Sequence, residues 1–154
     1  RNFALATGPT EHQNRATKRA EGHVQALREA GIEPGPSIVI PYFLGMLRSG
    51  ETLRDFVKAN PDVDCLFCTN ELIAIGATVQ CRRAGLRVPD DIAIVGFGDV
   101  EAASIIEPPL TTVAVHGAEM GRIAARIIRE RLAGDTASPE LIDVGFGIIW
   151  RGTA

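Results

Sequence analysis

The sequence predicts an α/β fold, a parallel sheet flanked by helices, on two patterns. Short apolar runs alternate with longer amphipathic stretches, as expected of successive strand–helix units. The runs FALAT, SIVI, DCLFCT and DIAIVGF are nearly continuous in apolar residues, as in strands covered by helices on both faces.

The elements follow in order. Phe3 to Thr7 forms a strand ending at Gly8-Pro9. Asn14 to Ala30 places Ala16, Ala20, Val24 and Leu27 at helical spacing, with Gly31 as a stop. Pro34, Gly35 and Pro36 form the loop before a second strand, Ser37 to Ile40. Glu51 to Ala59 is a helix with Leu53, Phe56 and Val57 on one face, ended by Asn60-Pro61. Asp64 to Thr69 is the third strand, after which Asn70 caps a helix from Glu71 to Ala84, closed by Gly85. Asp91 to Phe97 is the fourth strand, followed by an irregular stretch through Pro108-Pro109 and a short extended segment, Thr112 to Val115. Gly117 to Ala133 reads as a helix with Met120, Ile123, Ala124, Ile127 and Ile128 inward, and Leu141 to Trp150 as one or two strands broken by Gly145 and Gly147.

A chain of 154 residues, 45% of them hydrophobic, suits one globular domain with a real core. Sixteen Lys and Arg against nineteen Asp and Glu leave no basic footprint for a phosphate backbone. This chain by itself is therefore not expected to hold DNA. Three cysteines, Cys65, Cys68 and Cys81, argue against a disulfide framework and for a reducing, cytoplasmic setting. No apolar run approaches the roughly 18 residues of a membrane helix.

In open parallel sheets, ligands bind beyond the carboxyl ends of the strands. Arg15 and Arg19, one helical turn apart, follow the first strand. Phe43 follows the second, Asn70 and Glu71 the third, and Asp99 the fourth. Guanidinium groups, an amide and carboxylates around one edge suit a polyhydroxylated small molecule. Each also has a plainer reading: the arginines as solvated charges, Asn70 as a helix cap, and Asp99 as a turn cap.

Rival chemistries find little support. Cys65-x-x-Cys68 lies within a strand, where residues three apart face opposite ways, and no second pair completes a zinc site. Gly96-Phe97-Gly98 lacks the third glycine of a dinucleotide loop, Glu101 standing in its place. His12, His23 and His116 show no metal spacing, and His23 is expected at the surface. No nucleophile has a base within a known spacing, so neither catalysis nor a cofactor is expected.

The stretch from Pro89 to Val113, PDDIAIVGFGDVEAASIIEPPLTTV, closely resembles the LacI/GalR signature, P-x-D-I-x-V-x-G-[FY]-[DG]-D followed by P-P-L-T-T-[VI]. Thr69-Asn70-Glu71 with Ala74-Ile75-Gly76 resembles the family's N-D-x-x-A-x-G stretch, and Arg19-Ala20-Glu21-Gly22 its R-x-x-G helix. Phe3 to Pro9 is similar to its strand ending in T/S-G-P, and Trp150-Arg151 to its R-x-S/T ending.

The resemblance implies a periplasmic-binding-protein type I-like fold and an effector-sensing fragment of a transcriptional repressor without its helix-turn-helix. It implies a C-terminal effector-binding subdomain over residues 1–115, a helix and strand of the other subdomain over 116–145, and a returning tail over 146–154. It further implies a ligand-gripping role for Arg19, a hydroxyl-binding role for Asn70 and a contact from Arg15. Where the family's G-[FY]-D-D has its first carboxylate, this chain has Gly98, with Asp99 second, and Glu71 replaces an aspartate. Gly98 at this position, with Arg15 added, resembles the branch that includes gluconate-responsive repressors, and losing one carboxylate while gaining one cation favours a sugar-acid effector. A homodimer through residues 71–84 and 101–106 is implied, with DNA bound only through a missing N-terminal part. A periplasmic sugar-binding protein of a transport system shares this fold and is the alternative.

Overall fold

The computed structural model describes residues 1–9, 14–41, 45–134 and 141–154. Five strands and four helices alternate before a final helix and strand: β1 (Phe3–Thr7), α1 (Asn14–Glu29), β2 (Ser37–Val39), α2 (Gly45–Ala59), β3 (Cys65–Cys68), α3 (Glu71–Arg83), β4 (Ala93–Phe97), α4 (Ala102–Ile105), β5 (Thr111–Val115), α5 (Gly117–Leu132) and β6 (Phe146–Ile149). The sheet order is β2-β1-β3-β4-β5-β6. All neighbours are parallel except β5 and β6, which pair antiparallel with Thr112 opposite Ile149. The parallel α/β architecture expected from the apolar runs is the observed one.

The register assigns each side chain to a face. Ala4, Ala6, Leu66, Cys68, Ile94, Leu110 and Thr112 alternate onto one side, which α2 and α3 cover with Leu53, Val57, Ile73, Ala74, Ala77 and Cys81 in one continuous core. Leu66, Ile94, Leu53 and Leu110 are fully buried there. The opposite face carries Leu5, Phe67, Val95, Phe97, Val113 and Val115. Helix α1 lies on it, its His23 stacked on Phe67 at 5.3 Å between ring centroids. His23 is thus half-buried rather than at the surface, and burial lowers its pKa. Beyond α1 this face opens, and Phe146, in β6 beside Val115, is 70% exposed.

Two segments differ from expectation for reasons of packing. Helix α2 begins six residues before Glu51, running through Gly50. A Cβ at Gly50 would lie 2.3 Å from the Gly76 carbonyl oxygen, so the glycine is the point where α2 crosses tightly over α3. Helix α5 has no buried residue, and Met120 and Ile128, expected inward, are exposed. Its apolar side is therefore not covered by the described residues.

Helix α3 starts as its sequence dictates. Asn70 is extended (φ −143°), and its Oδ1 accepts from the Leu72 N–H at 2.9 Å. At the other end of the chain the tail is laced beneath β4 and β5. The buried Thr153 hydroxyl donates to the Ile94 carbonyl at 2.6 Å and accepts from the Thr111 N–H at 2.9 Å, while the Ile94 N–H reaches the Thr153 carbonyl at 2.8 Å. No described helix is long and apolar enough to cross a membrane.

Candidate functional site

Arg19, Asn70, Glu71 and Asp99 lie near the ends of β1, β3 and β4 but do not share one hollow: of the four, Arg19 lines the large open one, and Asn70 lines a separate one with Ile40, Ser49 and Ile73. Arg19 leaves α1 toward this edge, and its guanidinium carbon lies 3.7 Å from the centre of the Phe97 ring. A guanidinium over an aromatic face is held by the ring quadrupole and fixed in orientation. Its Nη1 also donates to the Thr69 carbonyl at 2.9 Å, just before Asn70. Beneath it the Thr69 hydroxyl donates to the Thr7 hydroxyl at 3.1 Å, tying the ends of β3 and β1 together. Arg15 sits one turn nearer the start of α1 with an exposed side chain. Phe43 and His12 lie outside the described residues.

The two acids of the set are turned another way. Glu71 is 3% exposed and lies on the α2/α3 side, where its Oε2 accepts from the Thr112 hydroxyl at 2.8 Å. A Cβ at Gly96 would fall 2.8 Å from that oxygen, so the carboxyl occupies the volume that a side chain on β4 would need. Its Oε1 is buried without a well-formed hydrogen bond. Burial pushes the Glu71 carboxyl above its ordinary range, opposed by the Thr112 hydroxyl and the nearby Asp99 amide. Arg19 and Glu71 therefore sit on opposite faces of one sheet edge.

Asp99 adopts a left-handed conformation (φ 54°) directly after Gly98 (φ 138°). This double reversal carries its carboxylate back toward the tail, where Oδ1 accepts from Arg151 Nη2 at 2.7 Å. Arg151 is itself anchored, donating through Nη1 to the Leu110 carbonyl and through its backbone N–H to the Thr111 hydroxyl, each at 2.9 Å. Sequence reasoning placed Arg151 in a family ending without giving it a site role, because its partner lies 52 residues away.

Below Arg19, the open side of the sheet forms a hollow of about 590 Å³ with Phe67, Phe97, Val113, Val115 and Phe146 on the sheet side and Lys18, Arg19 and His23 on the α1 side. Its floor is apolar and its rim is cationic. Burial raises the pKa of Cys65 and Cys68 and pushes Cys81 up to about 11, so the nucleophilic thiolate is suppressed. No group of three or more His, Cys, Asp or Glu suited to a metal occurs among the described residues.

The mostly parallel sheet with helices packed on its faces is the architecture of a periplasmic-binding-protein-like domain. The profile of the periplasmic binding protein-like domain matches residues 1–154. The Escherichia coli K12 transcriptional regulator GntR is 34% identical over 128 residues, covering 83% of this chain and 38% of that protein. The regulator CelR of Thermobifida fusca is 33% identical over 143 residues, covering 90% of this chain and 41% of that protein. Among solved structures, a CelR–cellobiose complex superposes with a TM-score of 0.88 at 29% identity, covering all of this chain and 47% of that one. The lac repressor dimer bound to operator matches in fold with a TM-score of 0.85 at 23% identity. The chain belongs to the periplasmic binding protein-like domain family, in its LacI/GalR branch of transcriptional regulators. It spans about two fifths of the length of these curated relatives.

Proposed function

We propose that this chain is the effector-sensing part of a LacI-type transcriptional repressor and that its effector is a sugar acid. One observation carries the second half: the strand edge presents Arg19, fixed on Phe97, while Glu71 and Asp99 are both turned away from it. An edge with cations forward and carboxylates withdrawn favours an anion over a neutral polyol. Arg19 grips the acid group, Arg15 adds charge one turn away, and Asn70 offers its amide N–H₂ to hydroxyls while its Oδ1 caps α3. The reading is one of binding, with no bond made or broken. Bound effector acts by differential affinity for two arrangements of the regulator, one of which releases DNA.

The residue plan 1–115, 116–145 and 146–154 is carried into this reading as binding subdomain, crossing segment and return. The return is supported by β6 and the tail joining the sheet. Dimerisation is assigned to the outward residues of α3 and to 101–106. Ile105, 78% exposed, supports the second, whereas α3 offers outward only Leu72, Arg82 and Arg83 beside half-buried Val79.

Calorimetric titration of the full gene product with gluconate-like acids and the matching neutral sugars tests the effector class. Tighter binding of the acids is expected, with Arg19→Met costing them at least tenfold, the scale of a charge-assisted contact worth about 1.5–3 kcal/mol. Tighter binding of the neutral sugars would refute the sugar-acid reading.

A further inference from the structure

Asp99 and Arg151 come from the two ends of the fold's second half and meet beside the candidate edge, at 2.7 Å with both side chains mostly buried. The meeting is constructed from both sides. The left-handed pair Gly98-Asp99 reverses the chain after β4, and Leu110 and Thr111 hold the Arg151 side chain and backbone under β5. Without the reversal, Asp99 would follow Phe97 outward, toward the ring on which Arg19 rests. The space beneath the turn is closed by Glu71, which lies 3.7 Å from where a Gly98 Cβ would be. The tail is pinned in turn by Thr153.

We infer that Arg151 is a specificity-determining residue: by holding the Asp99 carboxylate back from the mouth, it sets the preference of the site for acidic over neutral ligands. Arg151 does not touch the ligand in this scheme; it is a positioning residue that acts through Asp99. The inference rests on the sugar-acid reading for its direction. Releasing Asp99 places one negative charge near the ligand's acid group, which at the effective dielectric of a protein surface weakens binding by about tenfold.

The experiment is a charge cycle on the full gene product. Gluconate and glucose are titrated calorimetrically into the wild type, Arg151→Gln, Arg151→Lys and the double variant Asp99→Asn with Arg151→Gln. Arg151→Gln is expected to lower the gluconate-to-glucose affinity ratio about tenfold. The double variant should stay within about threefold of the wild type because it removes the released charge, and Arg151→Lys should fall between the wild type and Arg151→Gln, keeping the cation but not the two-nitrogen hold on Leu110 and Asp99. A loss shared equally by both ligands, or a double variant as low as the single, overturns the inference. The ratio shift is read relative to the wild type, so a wild type preferring glucose sinks the sugar-acid reading while the cycle still decides the role of Arg151. Should Arg151→Gln not fold, ¹³C NMR of the wild-type Asp99 carboxyl replaces it. A signal unmoved by saturating gluconate supports the inference, and one that moves like a contact residue overturns it.

Discussion

Helices α3 and α5 are similar in length and opposite in situation. In α3 nearly every position from Glu71 to Cys81 is buried, between the sheet and α2. In α5 none is, although Met120, Ile123, Ile127 and Ile128 recur at helical spacing against Arg122, Arg126 and Arg129. The helix with the weaker stripe is the better packed. A helix apolar nearly all round is sandwiched, whereas one with a clean stripe needs a single partner surface, and the pattern does not say where that surface is. What distinguishes the two regions is whether the fold brings a second surface to them.

That contrast is broken most severely at the α2–α3 crossing. Gly50→Leu drives a side chain into the Gly76 carbonyl and the Gln80 side chain, and the obstacle nearest it is backbone. Urea unfolding should show a loss of about 3 kcal/mol or more, similar to that of Leu66→Ala, a cavity in the fully buried core. A Gly50→Leu protein within about 1 kcal/mol of wild type would mean that the helices do not cross at this glycine.

Next in size is the tail. Thr153→Val keeps the volume but strands the Thr111 N–H and weakens the hold on Ile94. A loss of about 1–3 kcal/mol is expected, the cost of leaving a buried polar group unmade. A neutral effect would show that the tail rests on the sheet without being fastened to it.

Glu71 gives a smaller, pH-dependent effect whose sign is fixed by burial. Its folded pKa is raised above the ordinary 4.5, so protonation favours folding. The stability it contributes is complete below 4.5 and is lost as pH rises through the folded value. Glu71→Gln should therefore gain on the wild type as pH increases across that window and hold its gain above it. Parallel denaturation series from about pH 4 to pH 8 check this. A difference independent of pH would place the carboxyl in water and undo the assignment of Glu71 to the covered side.

These variants also mark what was legible in the chain. The apolar runs at Phe3, Cys65 and Ala93 and the Asn70 cap could be read because their causes are local: continuous apolar residues and a side-chain acceptor before a helix. Gly50 was not legible as a helix interior, because the reason for a glycine there is a neighbour 26 residues away. The same holds at the edge. Position along the strands brought Arg19, Asn70, Glu71 and Asp99 to one edge, but the side each acid takes follows from Thr112 and Arg151, 41 and 52 residues distant. Placement at an edge is a property of topology, and orientation is a property of partners.

The smallest effect lies where the fold supplies no second surface. Ile128→Gln, at a position 60% exposed, should leave the free energy of urea unfolding of this 154-residue chain within about 0.5 kcal/mol of wild type. Leu132→Gln, at 85% exposure, should do the same. A loss approaching that of Leu66→Ala would mean that α5 is covered in solution by a surface absent from the structure, and the midpoint would then depend on protein concentration if that surface belonged to a second copy. Measuring both variants at two concentrations separates these cases, because burial inside one chain gives a loss that does not vary with concentration. An unchanged midpoint at both concentrations leaves α5 as an amphipathic helix whose stripe contributes nothing to the stability of the sheet it follows.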